Sequence, residues 1–511
     1  MANLVVINLA DGQYFARSLA GRPVIDWALD YAKTLVPEKD IAFLTTGGAK
    51  VPPFKTLTLE SQTDAALIKT LTELAAAYDN IIYIFGDSPF LDIKTSLRML
   101  ENHAKYYAHY TFADGYPAGL TPEIIAVRTL PALAALCKEP QPVSRETLFT
   151  LIQKDINAFD LETELSPTDM RLLRASLTVD TKRNHLLCER IAAALPEAAY
   201  KPPLPGTTES RLVGKPTGAA VISLLEDKTE ILRTLPAFVA VQITEGCPHA
   251  CAFCPYPLLA QDVTAKKGFM RPQDFDIIAG KTADFCGDAV IGVSLWGEPS
   301  QHPAFLQIAQ SIAVRPGLKL LVETSGIGWT DEVIRECAKM LEGRLTWIVS
   351  LDAVDSGQYT KLRGSGWDEA LARANMLLAE FAGSAYVQAL RMADNEETLE
   401  TFYRTWKEKT NHLIIQKYDF FCGFLPQRKV TDLSPLDRFP CRHLQRDMSV
   451  LLDGSVPLCR EDIQKTSVLG NLITDDIQAI WDKAGGFYRE QLDKNYSNIC
   501  GKCDEYYTYN F

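Results

Sequence analysis

Along the first 195 residues, short apolar runs alternate with stretches of helical periodicity. Asn3 to Leu9 has the continuous apolar character of a short buried strand, and Val24 to Leu35 has the spacing of a helix. Ile41 to Thr45 predicts a second strand and Asp64 to Ala77 a second helix. Asn80 to Phe85 predicts a strand that runs straight into Gly86-Asp87-Ser88-Pro89. Strands and helices in this alternation predict a parallel sheet, and a strand ending in Gly-Asp aims its carboxylate into the crevice above such a sheet. The same carboxylate could equally cap the next helix.

From Leu195 the pattern breaks. Lys201-Pro202-Pro203-Leu204-Pro205-Gly206-Thr207-Thr208, continued to Lys215-Pro216-Thr217-Gly218, reads as a linker with little regular structure. Beyond it, six apolar strands recur: Ala237 to Thr244, Val290 to Leu295, Lys319 to Gly326, Leu345 to Asp352, Ala385 to Leu390 and Leu413 to Lys417. Strand-then-loop chemistry of this kind suits a partial β/α barrel, whose active sites gather at the C-terminal ends of the strands. The expected organisation is α/β: a doubly wound domain over 1–195, a linker over 196–234, a six-stranded partial barrel over 235–425 and a small domain over 426–511. A chain of 511 residues is too long for one core, which agrees with that division.

Composition narrows the function classes. A formal net charge of -12 leaves no general basic surface, so nucleic acid is excluded as a first partner. The start, Met1-Ala2-Asn3-Leu4, lacks a basic leader, and no segment reaches the eighteen or so apolar residues of a membrane span. The expected location is cytoplasmic, and twelve cysteines there are better read as metal or cluster ligands than as a disulfide framework.

Seven of the twelve fall into two ordered groups. Cys247-Pro248-His249-Ala250-Cys251-Ala252-Phe253-Cys254 places three thiols in one short loop, suited to an iron–sulfur cluster with one iron left open. A zinc knuckle is the alternative, although none of the usual fourth ligands follows within a few residues. In the tail, Cys441 and Cys459 flank Asp453-Gly454, a hairpin-turn pair that would bring them together on paired strands. Cys500 and Cys503 follow at the spacing that puts two sulfurs on one metal, and four thiolates saturate one 4Fe-4S cluster or one zinc ion. Cys137, Cys188, Cys286 and Cys337 read as buried small hydrophobes, whereas Cys422, just before Gly423, stays a candidate catalytic residue.

The C-x3-C-x2-C loop, with Phe253 just before its last Cys, resembles the signature of radical S-adenosylmethionine (SAM) enzymes. Trp296-Gly297-Glu298-Pro299 resembles the family's Gly-Gly-Glu-Pro with Trp in the first Gly place. Ser350-Leu351-Asp352 and Tyr359-Thr360-Lys361-Leu362-Arg363-Gly364 resemble two further motifs. The resemblance implies a cluster whose open iron is chelated by SAM and a radical that abstracts hydrogen from a substrate. Gly297 and Glu298 would then hold the methionine amine, Ser350 its carboxylate, and Asp352 would orient substrate. It also implies a flavodoxin- or ferredoxin-type electron donor. The tail resembles a shortened SPASM domain with a second, auxiliary 4Fe-4S cluster on Cys441, Cys459, Cys500 and Cys503.

The first domain resembles the cytidylyltransferases. Arg17-Ser18-Leu19-Ala20-Gly21-Arg22-Pro23, Gly86-Asp87-Ser88-Pro89 and Leu177-Thr178-Val179-Asp180-Thr181 carry the likeness. It implies Mg²⁺ on Asp87 and Asp180, with Arg17 in the place of a nucleotide-binding Lys. Two departures stand out. The phosphate loop is reduced to Leu9-Ala10-Asp11-Gly12-Gln13-Tyr14, and Lys182-Arg183-Asn184 replaces Pro-Glu-Asp. The whole arrangement is similar to the spiro-SPASM family of spirochetes. That likeness brings no substrate with it; the cysteine loop and the motifs behind it lead to the expectation of a radical SAM enzyme acting on a peptide or sugar-like substrate, and the alternatives are a nucleotidyltransferase with a coupled radical domain and a non-catalytic iron–sulfur scaffold.

Overall fold

The computed structural model describes residues 1–9, 17–46, 53–195, 216–259, 268–496 and 498–508. The chain divides into two compact units, Met1–Thr234 and Leu235–Phe511. Most of the reduced phosphate loop, residues 10–14, and the Pro-rich run 201–208 lie outside the described residues.

In the first unit seven strands form one sheet, in the spatial order Lys55–Thr58, Ile41–Thr45, Asn3–Asn8, Asn80–Phe85, Glu123–Ala126, Tyr110–Asp114, Leu161–Leu165. The first four run parallel, and Glu123–Ala126 is inserted antiparallel to both of its neighbours. Alternate residues of each parallel strand feed different cores, because side chains on a strand point to opposite faces. Leu4, Val6, Ala42 and Leu44 pack with helix Asp64–Leu74 on one face, while Val5, Ile7, Ile41 and Phe43 pack with helix Val24–Leu35 on the other. This is the doubly wound arrangement read from the alternating pattern.

The expected linker over 196–234 is helical in its last part. Helix Gly218–Asp227 buries Val221, Ile222, Leu224 and Leu225 with Leu187, Cys188 and Ile191 of the first unit, and Gly218 N donates to Asp92 Oδ1 at 2.8 Å. Its apolar face was masked in the sequence by the Pro- and Gly-rich run before it.

His103, in helix Ile93–Lys105, is buried with its ring nitrogens 2.7 Å from Thr111 Oγ1 and 3.2 Å from Asn80 Oδ1. Burial, with the nearby Arg128 and His109, lowers its pKa from 6.5 to about 4. The folded state therefore holds a neutral ring while the unfolded chain takes up a proton below 6.5. The resulting stability is complete above that pH and is lost as the pH falls toward 4, by at most about 3 kcal/mol. Thermal unfolding at pH 7 and pH 5 is expected to show a smaller acid-induced drop for His103→Gln than for the wild type.

The second unit is built on an all-parallel sheet in the order Leu413–Lys417, Ala385–Arg391, Leu345–Ser350, Leu318–Thr324, Ala289–Gly292, Phe238–Val241, Asp447–Val450. Six of these are the expected barrel strands. The seventh comes from the tail and pairs in parallel with the first, Val239 lying opposite Met448. Tail residues Leu444, Met448, Val450, Trp481 and Tyr488 share one hydrophobic core with the barrel strands and helices.

The Asp453-Gly454 turn forms, with Gly454 at φ 82° and Gly454 N bonded to Leu451 O at 2.9 Å. The strands flanking it are not partners, contrary to the expected hairpin: Ser455–Pro457 pairs antiparallel with Val468–Asn471, while Asp447–Val450 joins the barrel sheet.

Candidate active site

Cys247, Cys251 and Cys254 lie on the loop after Phe238–Val241, just beyond the short pair Thr244–Glu245 with Gly268–Phe269. The loop is pinned from several sides. Glu298 N donates to Gly246 O at 2.9 Å, Ala252 N to Leu362 O at 3.0 Å and Cys254 N to Cys251 O at 3.1 Å, while His249 Nε2 lies 2.9 Å from Ser365 O. All three cysteines face one cavity of about 260 Å³ at the C-terminal ends of the parallel strands.

Burial pushes all three thiols up, Cys254 to about 12, and the sulfurs and the Glu298 carboxylate press on one another. Cys251 is buried and Cys247 and Cys254 half-buried around one cavity, and three desolvated thiols that repel one another ionise together most readily beside added positive charge, which is what metal centres supply. His249 Nδ1 and Tyr256 Oη on the same cavity wall are buried without hydrogen-bond partners among the described residues. The donor set fits an iron–sulfur cluster with room for a ligand beside it.

The facing turn is Trp296-Gly297-Glu298-Pro299. Gly297 has no alternative, since a Cβ there would lie 2.2 Å from Thr244 O. Trp296 sits at φ 51°, a left-handed backbone that suits the glycine it replaces in the family pattern. Glu298 is buried and ties two loops together: Oε1 accepts from Thr324 Oγ1 at 2.5 Å and Oε2 from Ser325 N at 2.9 Å. Ser350 Oγ donates to Glu323 Oε1 at 3.2 Å, and Gln388 Nε2 reaches both that oxygen at 2.7 Å and Ser350 Oγ at 3.1 Å. These three polar side chains line the cavity with Gln416, Asp419 and Arg460.

Asp352 is held in a buried ion pair with Arg363, and its other oxygen accepts from Leu390 N at 2.6 Å. Both oxygens are thus engaged within the chain. Burial opposes the charge on Arg363, but Cys251 and Asp352 beside it outweigh that and hold the guanidinium above its usual value. Its plane also lies 5.6 Å from the Phe253 ring, so Phe253 braces the cation that faces Cys251.

The tail brings the second cysteine group together. Cys441 caps helix Arg442–Arg446, Cys459 follows strand Ser455–Pro457, Cys500 lies in the turn Asn498–Lys502 and Cys503 just after it. Burial raises Cys441 and Cys459 well above the usual thiol range and Cys500 to about 11, and each feels the sulfur of Cys503. Cys503 is held low instead, chiefly by a hydrogen bond with Cys422. Cys422 therefore belongs beside this second group, and its neighbour Phe421 is the residue that lines the cavity of the first.

In the first unit Asp87 and Asp180 meet, but Arg145 stands between them. Its Nη2 pairs with Asp87 Oδ2, its Nε lies 3.3 Å from Asp180 Oδ2, and its plane covers the Phe85 ring at 4.5 Å. Asp180 Oδ1 is taken by Thr178 Oγ1 at 2.8 Å and by Asn184 Nδ2 at 2.7 Å, so one of the residues that depart from the family pattern fills the remaining coordination site. Three of the four carboxylate oxygens are engaged in this way and Asp87 Oδ1 has only Ser88 Oγ at 3.5 Å, so with Arg145 in place the pair does not fit a Mg²⁺ ion held by both carboxylates. Asp87 does not cap the next helix either; Asp92 does, accepting from Thr95 N at 2.9 Å. Arg17 lies nearby in sequence to a two-stranded ribbon, Ser18–Leu19 with Arg22–Pro23, and its carbonyl accepts from Val24 N at 2.9 Å. Titration with Mn²⁺ is expected to give no tight site in the wild type and one new site in Arg145→Gln, lost again in Arg145→Gln/Asp87→Asn.

Sequence reasoning passed over Glu323, Gln388, Asp419 and Arg460. Arg460 directly follows Cys459, which was the available signal; the others carry no local motif. Arg363 was quoted as motif but given no role.

Residues 241–405 match the family model described as the radical SAM superfamily, and residues 441–504 match the one described as an iron–sulfur cluster-binding domain, SPASM. An uncharacterized protein of Treponema pallidum (strain Nichols) is 37% identical over 377 residues, covering 71% of this chain and 98% of the relative. Among solved structures, Streptococcus suis SuiB bound to the precursor peptide SuiA is 14% identical, covers 55% of this chain and 72% of that one, and has a TM-score of 0.43. A cytidylyltransferase from Leptospira borgpetersenii serovar Hardjo-bovis (strain JB197) is 15% identical, covers 45% of this chain and 95% of that one, and has a TM-score of 0.35.

Proposed function

Because the chain belongs to the radical SAM superfamily and carries a SPASM iron–sulfur domain, we propose that it cleaves S-adenosylmethionine reductively and abstracts hydrogen from a peptide or sugar-like substrate. The observation that carries this reading is the convergence of Cys247, Cys251 and Cys254 on one cavity opposite the Glu298-braced turn. When bound, a cluster on these thiols would supply one electron at low potential to SAM, giving methionine and a 5′-deoxyadenosyl radical.

The chain's own residues position the reactants. Gly297 lets the turn approach Thr244 closely, and Glu298, with both oxygens engaged inside the protein, keeps that turn rigid while its backbone faces the cavity. Ser350 gives its one hydroxyl hydrogen to Glu323 and accepts from Gln388, so donating to the carboxylate end of SAM requires the hydroxyl to turn away from Glu323. Arg460 and Asp419, 3.5 Å apart on the cavity wall, offer a donor and an acceptor to a polar substrate. Asp352 acts through Arg363 rather than on substrate.

A low-potential flavodoxin- or ferredoxin-type protein is the expected electron donor. Among the described residues no helix is long and apolar enough to cross a membrane. Anaerobic reconstitution with iron, sulfide, dithionite and SAM is expected to yield 5′-deoxyadenosine. A protein that binds no iron under those conditions overturns the reading.

A further inference from the structure

Alternate residues of strand Leu318–Thr324 serve different surroundings. Leu320 and Val322 pack into the hydrophobic core, whereas Leu321 and Glu323 line a second cavity, of about 180 Å³, inside the barrel sheet. Barrel interiors are ordinarily filled by layers of side chains, so this lumen is room kept for something else. A cavity of about 150 Å³ accommodates a benzene ring, and this one takes a group of about six heavy atoms. Leu295, Leu321, Ile348 and Ile414 make its walls largely apolar. It adjoins the cysteine cavity, because Glu323, Gln388, Gln416 and Arg460 line both.

Glu323 therefore stands at the junction, and it differs from the other three carboxylates around the cysteine cavity. Glu298 is held by Thr324 Oγ1 and Ser325 N, Asp352 is paired with Arg363, and Asp419 lies 3.5 Å from Arg460. Glu323 Oε1 accepts from Ser350 Oγ at 3.2 Å and from Gln388 Nε2 at 2.7 Å, but among the described residues no Lys, Arg or His pairs with this carboxylate and no donor meets Oε2. The headgroup is fixed while its charge stays uncompensated. Neither guanidinium on the wall is free to receive an anion: Arg363 is committed to Asp352, and Arg460 is shared among Asp419, Glu461 and Glu505. A half-buried carboxylate beside an apolar lumen gains from a cationic partner, and a substrate can bring one.

We propose that the substrate is a primary amine with an aliphatic substituent, whose ammonium binds Glu323 while the apolar group occupies the lumen. This rests on the radical SAM reading above and names the chemistry that the same cavity selects. Glu323 Oε2 takes the charge, Leu321, Ile348 and Ile414 take the methylenes, and the two bonds to Oε1 keep the carboxylate aimed.

The test titrates the reconstituted full chain, with and without SAM, by anaerobic calorimetry with n-pentylammonium chloride, pentanol, sodium pentanoate and glucosamine at neutral pH, where the amines are protonated. With SAM present, n-pentylammonium is expected to bind about tenfold or more tightly than the other three. Glu323→Gln keeps an acceptor for Ser350 and Gln388 but removes the charge, and is expected to bring n-pentylammonium down to the level of pentanol; Glu323→Asp is expected to keep part of the preference. In the wild type, which needs no variant to fold, absent ammonium binding or an equal affinity for pentanoate or glucosamine overturns the proposal. An undiminished preference in Glu323→Gln does so as well, and binding that SAM displaces assigns Glu323 to SAM and overturns it too. A chain that loads no iron or releases no 5′-deoxyadenosine fails the proposed function itself, whereas normal release with no preference for the ammonium fails this inference alone.

Discussion

Arg363→Met is expected to destabilise the second unit by about 3–5 kcal/mol, because it leaves the buried Asp352 carboxylate without its counter-charge. Asp352 is 3% exposed and Arg363 8%, so water cannot take over either role. Leu390 N would still donate to Asp352 Oδ1, which satisfies one oxygen and strands the other. Removing both charges in Asp352→Asn/Arg363→Met should recover much of the loss, since a neutral amide is far less costly to bury than an unpaired carboxylate. Denaturant midpoints for the two single variants and the double variant measure the coupling. A single variant within about 0.5 kcal/mol of wild type would show that the pair is screened and the assignment of Asp352 to structure is wrong. The same substitution removes the cation beside Cys251, so cluster loading should weaken as well.

The contrast between Asp352 and Glu298 shows what was legible in the chain. Both stood in recognisable motifs at strand ends, and both are buried near the cavity, but a motif gives the residue's address and not the direction of its side chain. The six barrel strands were readable because each is a local apolar run. The seventh, Asp447–Val450, has only four residues and becomes a strand through its partner Phe238–Val241, about two hundred positions away. Arg145 belongs to the same class. No pattern around Ser144-Arg145-Glu146 announces that the guanidinium will settle between Asp87 and Asp180; that follows only once the sheet has brought the two carboxylates together. Cys422 was noticed for its neighbour Gly423, and the left-handed turn that holds both is a tertiary outcome that no local pattern announces. Spacing says most where the cysteines are a few residues apart, as at 247, 251 and 254, because so short a loop limits how far its side chains can separate.

Cys251→Ala is expected to abolish 5′-deoxyadenosine formation while lowering iron from about eight to about four atoms per chain. The two readouts separate because the two cysteine groups are distinct in the fold. Cys251 sits with Cys247 and Cys254 on the loop after the first barrel strand; Cys441, Cys459, Cys500 and Cys503 are gathered by the tail helix, strand and terminal turn. Removing one of three thiols leaves two half-buried cysteines, too few to hold the cluster, whose desolvation holds their thiols protonated without it. The tail group feels mainly its own members and should still load. Cys441→Ala is the mirror experiment: it should also remove about four irons, yet leave SAM cleavage in the absence of substrate measurable, because Glu298, Ser350 and the first three thiols are untouched. If Cys441→Ala abolishes SAM cleavage as completely as Cys251→Ala does, the auxiliary group is required for the first cluster's chemistry and the division of labour drawn from the geometry is wrong. If Cys251→Ala retains full iron and full cleavage, the catalytic cluster is held elsewhere.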